Sequence, residues 1–109
     1  MKEIKAIVQP FLADQVIDRL HELPHLPGLT VSTVHVFSRC DCTPTPCERS
    51  EESKMTKIEL VVLDETLEEA VKVIAQAAHT GHCGDGKIFV CEVTDVLRIR
   101  TGVRGEAAV

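Results

Sequence analysis

Apolar spacing changes period along this chain in the order two, helical, two, two, helical, two, and few folds accept that order. In the opening stretch, Met1 to Gln9, the residues Ile4, Ala6 and Val8 share one side and Lys5, Ile7 and Gln9 the other, until Pro10 ends the strand. Leu12, Val16, Ile17, Leu20 and Leu23 then recur at helical intervals, with Asp14, Asp18, Arg19 and Glu22 outside. Pro24, Pro27 and Gly28 break that helix. A second strand runs from Leu29 to about Arg39, where Leu29, Val31, Thr33, His35 and Phe37 alternate with Thr30, Ser32, Val34 and Val36. Lys57 to Val62 predicts a third strand. Asp64, or Thr66 with Glu69 at capping-box spacing, opens a second helix that carries Leu67, Ala70, Val71, Ile74 and Ala78 on one face and stops at Gly81. Ile88 to Val93 predicts a fourth strand, and Asp95 to Arg100 a further extended piece.

Two strand–helix–strand halves around an antiparallel centre make a ferredoxin-like α+β fold, βαββαβ. Its helices cover one face of the sheet. Ile7, Val34, Val36 and Val61 fall on the other face, which predicts association through the sheet. A length of 109 residues leaves room for one domain, residues 1–109. A net charge of −5, with no Trp or Tyr to stack bases, argues against a nucleic-acid partner. Apolar runs such as Ile58 to Leu63 fall far short of the roughly twenty residues that a membrane span needs. The charged start, Lys2, Glu3 and Lys5, is unlike a secretory signal, so a soluble cytoplasmic protein is expected.

Ser38 to Lys54 breaks the pattern. Its seventeen residues hold three Cys, two Pro, three Ser and two Thr, too polar for a core, so a long exposed loop is expected at about 38–55. Five Cys in the chain cannot all pair within it. Cys40, Cys42 and Cys47 stand within eight residues. They leave three readings open: soft ligands for Zn²⁺ or Cu(I) completed by His35 or Asp41, a redox pair, or inert thiols. Cys91, among apolar neighbours, is expected to pack in the core.

A phosphate site is suggested by Gly81-His82-Cys83-Gly84-Asp85-Gly86-Lys87, which has the spacing of a phosphate loop. Ile88 follows where Mg²⁺ would need Ser or Thr, and the turn joins a helix to a strand, so a P-loop ATPase is excluded. Glycines still expose backbone N–H groups to an anion, and Lys87 adds a point charge. Arg98 and Arg100, alternating on the extended piece, would project together. The plain alternative is a tight turn with solvated charges.

Several blocks resemble PII signal-transduction proteins, the nitrogen regulatory P-II family. They are Met1-Lys2-x-Ile4-x-Ala6-Ile7-x-x-Pro10-Phe11, Gly28-Leu29-Thr30-Val31, Lys57-Ile58-Glu59, Thr80-Gly81-x-x-Gly84-Asp85-Gly86-Lys87-Ile88-Phe89-Val90, and Arg98-Ile99-Arg100-Thr101-Gly102 with Arg104-Gly105-Glu106. The resemblance implies a homotrimer with sheets facing inward and an adenine nucleotide (ADP, AMP or ATP) in clefts between subunits. Gly84, Asp85, Gly86 and Lys87 would hold phosphates, joined by Arg98 and Arg100. Arg39 would reach ribose or phosphates, and Thr30 would contact adenine. It also implies a regulator, not an enzyme, whose loop 38–55 acts on a target protein, a transporter or an enzyme.

The chain departs from the family in that loop. There is no Tyr to modify. Cys40 replaces the Gln of the family's Mg-ATP and 2-oxoglutarate site, and Met55 stands for its loop-base Lys. As a divergent member with a short Cys-containing loop, it keeps a second reading: a metal-binding or redox-sensing module linked to heavy-metal handling.

Overall fold

Alternation in β1 (Lys2–Val8) translates directly into burial. Ile4, Ala6 and Val8 are buried, and the residues between them are half-buried on the opposite face. The computed structural model describes residues 1–39 and 50–109. After β1 come α1 (Pro10–His21), β2 (Leu29–Arg39), β3 (Ser50–Val62), α2 (Asp64–Ala78), β4 (Lys87–Glu92) and a 3₁₀ turn, Gly105–Ala108. The strands form one antiparallel sheet in the order β2-β3-β1-β4, the ferredoxin-like arrangement expected from the order of periods.

Both helices pack on one side of the sheet. Val16 and Leu20 of α1 and Ala70 and Ile74 of α2 meet Ile4, Val8, Ile58 and Val62 in a single core. Burial of each large aliphatic side chain there contributes roughly 1.5–3 kcal/mol. Pro10 is the first residue of α1, where its missing N–H costs nothing, so the helix starts two residues before Leu12. The capping box is not used. Asp64 is already helical, the cap position is Leu63, and Thr66 donates its backbone N–H to the Leu63 carbonyl. Asp64 and Glu65 instead set negative charge against the positive end of the helix.

Two other expectations change. β3 begins at Ser50 and not at Lys57, so part of the polar segment forms a ladder with β2 as far as Arg39↔Ser50. Main-chain hydrogen bonds can extend a hairpin arm beyond the core without apolar side chains, which is why composition alone read this stem as loop. Arg98 and Arg100 do not lie on a strand. Val93 donates to the Met1 carbonyl, and the chain then leaves the sheet. Arg98 then sits beside an isolated Leu97↔Arg104 bridge, and Arg100 in the turn that Gly102 closes at φ 72°.

The uncovered face is less apolar than expected. Glu3 and Lys5 pair at 3.3 Å, and Lys57 and Glu59 at 2.8 Å, between Ile7 and Val61. The Glu3 carboxylate raises the Lys5 pKa, and the Lys57 ammonium lowers that of Glu59. Cys91 is an exposed free thiol, contrary to the core placement expected, since its register opposite Glu3 puts it on this face.

Candidate functional site

The glycine turn is built on one carboxylate. After α2 ends at Ala78, the backbone extends through His79, and Asp85 folds back to accept hydrogen bonds from Thr80 N–H at 2.8 Å and Gly81 N–H at 3.0 Å. The Thr80 hydroxyl donates to the same carboxylate and accepts from His82 N–H at 3.1 Å. These bonds, the Thr80 hydroxyl first, hold the Asp85 carboxyl at a pKa of about 2, with His79 adding a smaller effect from 3.7 Å. Asp85 therefore organises the turn, and the N–H groups of Thr80, Gly81 and His82 are already engaged within it.

Glycine is required at the far end of the turn. Gly86 has φ 98°, and a Cβ there would collide with the Ile7 carbonyl. The Met55 methyl lies 3.5 Å from the same position, and Met55 is only 3% exposed. Met55 thus packs its thioether against the end of the turn. Gln9 Nε2 donates to the Gly84 carbonyl at 2.5 Å. Cys83, exposed in the turn, is disulfide-bonded.

The expected site residues fall into two groups, one at the β4 edge of the sheet beside α2 and one at the β2 edge. Asp85, Gly86 and Lys87 border a cavity of about 240 Å³ with His79 and Ile7. Thr30 and Arg98 border a separate cleft of about 640 Å³ with Gly28, Glu59, Val61 and Val109. Thr30, Glu59, Lys5 and Phe89 form one row across the sheet, so Thr30 and β4 stand at opposite edges, about 14 Å apart at three inter-strand spacings. Within one chain, Arg98 thus joins Thr30 and not the glycine turn. Arg39 closes β2 opposite Ser50, and Arg100 is exposed in its turn. Cys40, Cys42 and Cys47 lie outside the described residues. Among the described residues, no three His, Cys, Asp or Glu side chains are placed to hold a metal ion. Nor is any helix among them long and apolar enough to cross a membrane.

The roles of Thr80 and Gln9 escaped the sequence reading. Thr80 stood at the head of a recognisable block, which was the one available signal for it. Gln9 is 75 residues from its partner, and no local pattern marks it.

Residues 1–103 match the family model described as nitrogen regulatory protein P-II. Nitrogen regulatory protein P-II of Azospirillum brasilense is 44% identical over 114 aligned positions, covering all of both chains. Nitrogen regulatory protein P-II 1 of Escherichia coli is 41% identical with the same coverage. A crystal structure of Arabidopsis thaliana PII bound to citrate is similar at TM-score 0.82 and 37% identity, over 99% of this chain and 91% of that one.

Proposed function

The chain belongs to the nitrogen regulatory protein P-II family, whose members are signal-transduction regulators and not enzymes, and from that premise we propose that it binds an adenine nucleotide between the subunits of a homotrimer. The family binds adenine nucleotides generally and acts on partner proteins. One observation carries the reading to this chain: the glycine turn and Lys87 stand at the β4 edge of the sheet, and Thr30 with Arg98 border a cleft at the other edge. Neither half is a complete nucleotide site. A neighbouring copy that sets its Thr30 edge beside this Lys87 edge completes one.

In that arrangement Gly84, Asp85 and Gly86 offer main-chain groups to phosphates and Lys87 neutralises charge, with Arg98 and Arg100 arriving from the neighbour. Thr30 meets the base, and Arg39, at the root of the loop, reaches ribose or phosphate. ADP, AMP or ATP then sets the posture of the β2–β3 arm and of residues 40–49 between its strands, which act on a target protein in the cytoplasm. Such coupling requires the nucleotide to prefer one loop posture energetically, since equal affinity for both shifts nothing.

Native mass spectrometry with ADP and ATP tests this. A trimer that takes one nucleotide per subunit supports the reading. Lys87→Ala is expected to weaken nucleotide binding by about tenfold or more, the cost of a lost charge-assisted contact. A monomer, or a trimer that binds no nucleotide, would overturn the proposal.

A further inference from the structure

We propose that Gln9 is a positioning residue for the phosphate site, aiming the Asp85 N–H outward by holding the Gly84 carbonyl. Gln9 occupies the cap position of α1, yet its side chain makes no bond to that helix. Its Nε2 instead donates to the Gly84 oxygen at 2.5 Å. No peptide bond among the described residues is cis, and in a planar trans peptide the C=O and the following N–H point in opposite directions. The Gly84 carbonyl and the Asp85 N–H belong to one such unit. Drawing the carbonyl toward Gln9 therefore sends the N–H away from β1, toward the mouth of the turn.

The unit needs an external hold. Gly84 has φ 90° and Gly86 φ 98°, and glycine leaves the intervening peptide free to rotate between such conformations. The Asp85 carboxylate fastens the start of the turn through Thr80 and Gly81. Gly86, wedged against Ile7, fastens its end. Gln9 supplies a tie between them. The ligand served is a phosphate chain, so the inference rests on the nucleotide reading above.

The test is calorimetric titration of the full chain and its Gln9→Ala, Gln9→Glu and Gln9→Lys variants with ADP and with inorganic pyrophosphate. Amide NMR of Asp85 runs alongside. Gln9→Ala is expected to weaken ADP by about tenfold, the scale of one hydrogen bond. Gln9→Glu weakens it further, because a carboxylate repels the Gly84 oxygen. Gln9→Lys restores a donor and returns affinity to within about threefold of the parent, a rescue that a loss of packing would not show. The Asp85 amide resonance shifts in Gln9→Ala and returns in Gln9→Lys, with the core spectrum unchanged. Parent-like affinity in Gln9→Ala, or no rescue by Gln9→Lys, overturns the role. Should the parent bind neither ADP nor pyrophosphate, the nucleotide reading fails, and so does Gln9 as a phosphate-site residue. An Asp85 shift without any effect on binding reduces Gln9 to a structural tie.

Discussion

The glycine turn and the β2–β3 arm both lie off the hydrophobic core, yet they are held by opposite means. In the turn, side chains bond to the main chain: Asp85 to Thr80 and Gly81, Gln9 to Gly84. In the arm, main chain bonds to main chain, and the side chains described beyond Met55 are exposed or half-buried. The first scheme depends on the identity of a few residues. The second depends mainly on having two extended strands. Sequence change should therefore be costly in the turn and cheap in the arm.

The largest test of that contrast is Gly86→Ala. A positive φ and a collision with Ile7 are expected to cost about 3 kcal/mol, read as a lower urea midpoint. A neutral result would mean that the turn relaxes as freely as the arm.

Acid gives a finer test. The folded pKa of Asp85, about 2, lies below its ordinary value of about 3.9. Its ionised form is thus favoured by folding. That contribution is complete above about pH 4 and disappears as pH falls toward about 2. Protection of the Thr80 and Gly81 amides from hydrogen exchange, taken against the intrinsic rate at each pH, should fall through that window in the parent and not in Asp85→Asn. Equal behaviour of parent and variant would detach the carboxylate from the turn.

The smallest effect belongs to the arm. His35 and Glu52 approach to 2.7 Å across it, but both side chains are more than half exposed. A double-mutant cycle on His35→Ala and Glu52→Ala should give a coupling below about 0.5 kcal/mol. A coupling as large as the Gly86 effect would erase the distinction between the two regions.

The fold was legible wherever one repeating spacing meets one buried face. Ile4, Ala6 and Val8 alternate because they line a core, and Val16 and Leu20 are four apart for the same reason. The strand stem from Ser50 to Thr56 was not legible, because its ladder asks only for main-chain groups. Arg98 and Arg100 show a related limit. Alternation in letters implied a strand, but a strand needs a neighbour, and the pairing of β4 with β1 stops at Lys2↔Glu92. In the candidate site, glycine spacing and Lys87 marked one edge. Membership of one site for Thr30 and Lys87 came from family resemblance alone, since the two stand on opposite edges of a single chain. Gln9 was invisible because its bond joins two segments 75 residues apart that meet only after folding.

The ladder between β2 and β3 also bears on how such chains diverge. Register near the core is secured by Leu29↔Leu60 and Val31↔Ile58, several rungs below the tip. Adding one residue to each strand near the tip lengthens the reach of the arm by about 3.4 Å without moving those lower pairs. Adding one to a single strand produces a bulge that redirects the end. Evolution can thus revise the length and aim of this arm in small steps while leaving the globular body unchanged. The turn permits no such drift, because its partners, Gln9 and Ile7, belong to the body itself.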